Sequence, residues 1–392
     1  MSNPTAAPSA RTRLSALFFG VFLVSGAQAP FLPVWLGLKG FSVEEIGWLL
    51  ALPRAMQVVS LPLAARWADR GGRIIAQLLA GAAVATGVYL AMGFFSRGPA
   101  LVGLLVALFL VLSTAMPLLD VFAYTLPPEN GAKIAFGPVR KWGSVGFVSG
   151  SLLAGVALNA LGAPLLPALL AIAGLATIGS CVFALPLDSR PRLHSPDDGH
   201  PHARIGLALV AVIAVETLVQ GSHTQLGAMA SVHWAAMGRS NVFIGAAWAI
   251  GVVSETFAFA YMGGLFGPGS GRRLFFIGAA SSTLRWVAMA FDPPGGVVLA
   301  LQAMHGLTFA TTHIGAMEMV AELTPPANRG FTQGSMIAAT SGLNAVLAAM
   351  SGGLETRFGQ GAYFGMAAIA LAGLALVGAL RGPALKPLQT QI

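Results

Sequence analysis

Residues Asp188–Arg204 read DSRPRLHSPDDGHPHAR. The stretch holds three prolines, three histidines and several charges, and it lies near the middle of a chain of 392 residues. On either side the chain is dominated by apolar runs: 56% of all residues are hydrophobic and only 9% are charged. An average soluble domain is roughly 25% charged, and a soluble protein of this length could not hide so much apolar surface. The polar stretch therefore reads as a solvated linker between two membrane-embedded halves. His194, His200 and His202 are read with it, as linker residues and not as a metal tract.

Twelve apolar segments are long enough to span, each needing about 20 residues. They cover 14–38, 43–65, 74–95, 99–125, 137–160 and 164–187 before the linker, and 206–234, 241–266, 273–292, 296–322, 330–355 and 361–381 after it. The runs are continuous and not alternating, which disfavours a transmembrane β-barrel. The expected class is an all-α polytopic membrane protein with twelve transmembrane helices in two pseudo-symmetric six-helix bundles. Its parts are an N-terminal tail (1–13), a first bundle (14–187), the central linker (188–205), a second bundle (206–381) and a C-terminal tail (382–392). The first apolar run is flanked by Ala27-Gln28-Ala29, in the style of a signal-peptide cleavage site. Pro30 follows, however, and apolar character continues to Leu38, so the segment is expected to be a retained helix.

Orientation follows from the basic residues, because cytoplasmic loops carry an excess of Lys and Arg. With the N-terminus inside, the inner side collects Arg11, Arg13, Arg66, Arg70, Arg73, Lys133, Arg140, Lys141, Arg190, Arg192, Arg204, Arg272, Arg273, Arg329, Arg381 and Lys386. The outer side holds Lys39, Arg97, Arg239 and Arg357. Both termini are thus expected in the cytoplasm of a bacterial-type inner membrane. The net charge of +8 is explained by this bias, not by nucleic acid. The lone cysteine, Cys181, argues against thiolate metal sites. No Ser–His–Asp spacing, HExxH, CxxC or phosphate-binding Gly-rich lysine motif occurs, so no enzyme, cofactor or metal is expected.

An ionisable residue at mid-bilayer costs about 2.5–3.5 kcal/mol on translocon scales and is a functional candidate by default. The candidates are Arg54, Glu216, His223, Glu255, Arg285, His305 and His313, with Asp120, Arg140 and Glu318 nearer the inner interface. At about 1.5 Å per residue, Glu255, Arg285 and His305 share one slab near the bilayer centre. An acid, a guanidinium and an imidazole can meet there in one cavity. Glu216, Gln220 and His223 follow i, i+4, i+7 spacing and are expected on one helix face.

The whole chain resembles the major facilitator superfamily. RWADRGGR (Arg66–Arg73) is similar to that superfamily's loop signature, without its leading Gly, and the resemblance gives Asp69 and Arg70 a gating role. VRKWGSVGF (Val139–Phe147), GVVSETFAF (Gly251–Phe259), TLRWVAMA (Thr283–Ala290) and MHGLTFATTHIGAM (Met304–Met317) resemble the lactose permease-like branch, and within it the phenylpropionate permeases. The resemblance implies alternating access around a central site, by a monomer, with a small-molecule substrate and protons as partners. It places substrate and proton handling on Glu255, Arg285 and His305, and substrate binding on Asp120 and Arg140. Thr308 stands where the lactose permeases carry a proton-bearing Glu, and Gln302 where they carry a Lys, whereas the resemblance to the phenylpropionate permeases extends to Thr308 and His313. Glu255, Glu216 and His305 are therefore the candidate proton carriers, in that order. Arg285, Arg54, Asp120, Arg140, Gln220, His223, Thr308 and His313 are the candidate substrate ligands. The expected substrate is a small organic acid, such as an aromatic monocarboxylate. Proton-coupled sugar or nucleoside uptake and drug efflux are the alternatives.

Overall fold

The structure, a computed structural model, describes residues 8–69, 73–126, 136–188, 206–267, 269–325 and 328–380. The central linker after Asp188, the C-terminal tail and Arg70 lie outside the described residues. The elements before the linker are α1 (Ala10–Leu38), α2 (Val43–Asp69), α3 (Ile74–Met92), α4 (Pro99–Thr125), α5 (Phe136–Leu161) and α6 (Leu166–Ala184). After it come α7 (Leu207–Gly221), α8 (Thr224–Ala236), α9 (Asn241–Phe266), α10 (Gly271–Met289) and α11 (Gly295–Ala303). A π-helical turn (Gly306–Ala310) then leads to α12 (Thr311–Leu323), α13 (Arg329–Phe358) and α14 (Ala362–Ala379). No strand occurs among the described residues.

Every expected segment falls on helix. Nine stretches of the described residues are long and apolar enough to cross a membrane, and the last of them, Arg329–Gly378, covers both α13 and α14. Two of the twelve expected spans are not among them. α2 carries Glu44, Glu45 and Arg54, and α10 carries Arg272, Arg273 and Arg285. Two segments expected to be continuous are broken. The seventh pauses at Ser222–His223 between α7 and α8, and the tenth loosens around Met304–Ala310. Both breaks lie beside the ionisable residues described below.

The described residues group into two compact units. The first comprises the described residues of 8–40, 56–188 and 240–245, and the second those of 41–55, 206–239 and 246–380. In the first, Leu14, Leu17, Phe18 and Phe22 of α1 pack with Ile74 and Leu78 of α3, Leu118 and Phe122 of α4, and Cys181 of α6. In the second, Val212, Val215 and Val219 of α7 pack with Phe275 of α10, Met319 and Val320 of α12, and Met336 of α13. Lipid tails provide no hydrophobic drive between helices, so close backbone packing has to hold them together. α1 and α5 show this most directly. A Cβ at Gly146 would lie 2.3 Å from the Phe19 carbonyl oxygen, and one at Gly150 would lie 2.1 Å from that of Leu23. Only glycine permits that crossing.

Gly150→Val forces these two helices apart. It is expected to lower the melting temperature or abolish the folded peak in size-exclusion of detergent-solubilised protein, with a cost of at least about 1–3 kcal/mol. Gly179→Ala, whose Cβ would meet nothing within 4 Å, serves as the matched control and should leave both unchanged.

Candidate functional site

The second unit encloses a guanidinium. Arg285 projects from α10 with none of its surface exposed. Its Nη1 donates to Nδ1 of His305 at 3.2 Å and to the Thr308 hydroxyl at 3.1 Å, and its Nη2 donates to Oε1 of Gln302 at 2.8 Å. Arginine is a donor only, so Nδ1 of the neutral His305 ring is an acceptor and the ring proton sits on Nε2. That proton faces Oε2 of Glu255 at 3.5 Å. The order is therefore guanidinium, imidazole, carboxylate, with a hydrogen bond from the cation to the ring and a 3.5 Å approach of the ring to the acid. If Glu255 is ionised, one positive and one negative group balance across a neutral ring. Glu255 and His305 keep part of their side chains exposed, at 25% and 18%.

The π-helical turn builds this arrangement. One extra residue in the turn sends the Thr311 hydroxyl to the Gly306 carbonyl at 3.1 Å. The Gly306 amide donates to the Ser254 hydroxyl of α9 at 3.0 Å. A Cβ at Gly306 would lie 2.3 Å from the Ser254 carbonyl, so glycine is what lets α9 bring Glu255 beside His305. π-turns of this kind are commonly found at functional sites.

His223 sits in the break between α7 and α8, not on the helix face expected from its spacing. Its Nδ1 donates to the Val219 carbonyl at 2.9 Å, and its Nε2 lies 2.9 Å from the Thr308 hydroxyl. Thr308 thereby joins Arg285 to His223. Glu216 and Gln220 remain on α7 and form a second cluster. Oε1 of Glu216 accepts from Nδ1 of His313 at 2.9 Å and from Nε2 of Gln220 at 3.2 Å. Gln220 also donates to the Phe309 carbonyl at 3.2 Å. Glu216 is 3% exposed, whereas the His313 side chain is 38% exposed. The Phe309 ring stacks on His305 at 5.1 Å and meets His223 edge-on at 5.8 Å, so one aromatic side chain touches the first cluster while its carbonyl holds the second.

Other expected site residues take no part in these hydrogen-bonded clusters. In the first unit, Nε of Arg140 approaches Oδ1 of Asp120 at 3.8 Å, and its guanidinium lies 4.3 Å from the Phe22 ring centre. Both side chains are more than a third exposed, as a surface facing a cavity or solvent requires. Arg54 is exposed on α2. Glu318 accepts from the Ser270 hydroxyl at 3.1 Å and takes no part in either cluster. Asp69 is the last residue of α2, and Arg70 lies outside the described residues. Gln302 stands out in the sequence only for the charge it lacks. Its amide oxygen is the nearest acceptor on Arg285, a role that a neutral residue next to a lone buried arginine could have suggested.

A break-bearing helical membrane protein with charged clusters inside one bundle has the construction of a secondary transporter. The chain matches the family described as "MFS_1 like family" over residues 11–364 and belongs to it. It is 29% identical over 381 residues to the "Probable 3-phenylpropionic acid transporter" of Escherichia coli (strain K12), covering 92% of this chain and 95% of that protein. It is 27% identical over 361 residues to the "Maltose permease" of Geobacillus stearothermophilus, covering 88% of each. Among solved structures, the nucleoside transporter NupG superposes with a TM-score of 0.73 at 17% identity, covering 95% of this chain and 98% of that one. That likeness shows the fold. The protein is a multi-pass major facilitator transporter, and its relatives are transporters and not enzymes.

Thr308→Val removes the hydroxyl that accepts from Arg285 while keeping the side chain's shape. It leaves a buried charged donor with one acceptor fewer. The expected loss is about 1–3 kcal/mol, read as a fall in melting temperature of the purified protein. Thr308→Ser should recover most of it.

Proposed function

We propose that this chain is a proton-coupled symporter for a small organic acid of the aromatic monocarboxylate class, working by alternating access as a monomer. In this reading it sits in a bacterial inner membrane with both termini in the cytoplasm. The observation that carries the reading is the chain Arg285–His305–Glu255.

The chemistry follows from its charge. With Glu255 ionised the chain is neutral and the Arg285 charge is answered internally. A proton arriving at Oε2 of Glu255 removes the negative end. The guanidinium and imidazole then carry one uncompensated positive charge inside the membrane, where such a charge is costly. A substrate carboxylate relieves that cost. Release of the acid on the other side restores the demand for an ionised Glu255 and expels the proton. One proton thus accompanies one anion, and the pair crosses without net charge against a negative-inside potential. Phe309 offers the ring of such a substrate an apolar face next to His305. Glu216, with His313 beside it, is a second group able to hold a proton. Arg54, Asp120 and Arg140 are proposed as substrate ligands, and Asp69 and Arg70 as gate residues. The relative that carries the words 3-phenylpropionic acid in its name supports the substrate class.

Uptake of labelled 3-phenylpropionate into energised cells checks the reading. It is expected to be faster at about pH 5.5 than at about pH 7.5, either side of the imidazole range, abolished by a protonophore, and reduced at least about tenfold in Glu255→Gln and Arg285→Ala. Uptake that persists in both variants would remove this site. Uptake of maltose or a nucleoside in place of the acid would overturn the substrate class.

A further inference from the structure

A third cluster lies in the second unit, away from Arg285. It sits at the end where α8 turns into α9, α10 into α11 and α13 into α14. The basic-residue count assigns that end to the outside. His233, on the last turn of α8, is about 15 Å along the helix from His223. Its Nδ1 lies 2.8 Å from Oε1 of Glu355 on α13, and its Nε2 lies 3.4 Å from Oδ1 of Asp292 in the turn after α10. These two carboxylates are the charged groups acting on the ring. The second oxygen of Glu355 accepts from Nε2 of Gln225 at 3.0 Å.

The geometry decides which form of the ring fits. Each ring nitrogen faces a carboxylate oxygen. A carboxylate accepts only, and a neutral imidazole has one N–H. The imidazolium donates to both oxygens and ties three separate pieces of chain together. The neutral ring donates to one and turns a lone pair toward the other. The cluster also reaches inward. Glu355 acts electrostatically on the Tyr363 hydroxyl, as does Arg285. That hydroxyl is buried and has no hydrogen-bond partner among the described residues, and the Tyr363 ring stacks on Trp286 at 5.7 Å.

We propose that His233, Glu355 and Asp292 form a further proton-binding site, separate from the central clusters, whose occupied form pins α8 and α13 to the turn after α10. The ligand is a proton taken from the medium at that end of the bundle. The site holds whatever the transported substrate is, because no substrate ligand is part of it.

The test uses the purified full-length protein in detergent and needs no transport assay. Melting temperature is measured from about pH 5 to about pH 8.5, spanning the imidazole titration, for the unaltered chain and for His233→Gln, which keeps a neutral donor at every pH. At the acid end the variant is expected to melt about 2 °C lower or more, and the gap should close as pH rises through the imidazole titration. Asp292→Asn is the second variant. It removes one carboxylate from an exposed turn without touching the buried pair, and it should show a smaller acid-side gap that closes the same way. Glu255→Gln should leave the gap between the unaltered chain and His233→Gln unchanged. A gap of constant size across pH would mean a merely structural hydrogen bond and would overturn the proposal, as would no gap at all. Failure of phenylpropionate uptake would leave this result untouched.

Discussion

A guanidinium with no exposed surface must be neutralised by something inside the protein. Arg285 is in that position, and the second unit is organised around meeting its needs. Four donor–acceptor contacts of the first cluster begin or end on its immediate partners: His305, Thr308 and Gln302 take its protons, and Thr308 passes the connection on to His223. The nearest acid is one ring away. A direct Arg–carboxylate pair would be stronger as a hydrogen bond, but it would also be harder to open. Placing an imidazole between the two charges makes the balance depend on the protonation of a group that is still partly exposed.

The backbone irregularities serve the same end. A regular tenth segment would carry His305, Thr308 and Phe309 on a fixed helical register. The π-turn adds a residue, and Gly306 lets α9 approach until Ser254 caps the loosened amide. In the seventh segment the break at Ser222–His223 frees His223 from the helix face and turns it toward Thr308, while Ser222 accepts from the Trp286 indole at 2.8 Å. Non-helical backbone inside a membrane persists only where protein groups satisfy it. Here the satisfying groups are the Ser254 and Thr311 hydroxyls in the tenth segment and, in the seventh, the His223 ring and the Ser222 hydroxyl, which both donate to the Val219 carbonyl.

The architecture is legible in the sequence because the signal is coarse. Long apolar runs and a polar midpoint need no tertiary information, and every expected segment is helical. Depth arithmetic likewise brings Glu255, Arg285 and His305 to one level, where they do meet. The losses have physical reasons. Periodicity assumes an unbroken helix, so it puts His223 on a face with Glu216 and Gln220, and the break moves it to another partner. Spacing gives His313 no partner, and the structure pairs it with Glu216, because contacts between segments far apart in the chain leave no trace in either one's spacing. Nothing in the sequence singles out His233. It lies at a segment end, where histidine looks interfacial, and its partners Asp292 and Glu355 are 59 and 122 residues away.

Some of the polar atoms that the protein does not satisfy lie at the two clusters. Buried side-chain atoms without a hydrogen-bond partner among the described residues include Nε of Arg285, Nε2 of Gln302, Oε2 of Glu216 and Oε1 of Gln220. Two are donors beside the first cluster and two are acceptors in the second. Leaving one such group unmet costs about 1–3 kcal/mol, so a bundle selected only for stability would not gather four in one region. The donors suit a carboxylate and the acceptors suit a proton. In the proposed cycle these are the two species that must bind together, and the residual cost at each site is what their arrival would relieve. In that cycle the proton sits on Glu255, and Glu216 is the second group able to hold one. In the proposed symport, such unmet groups would give this bundle a reason to take up both partners or neither.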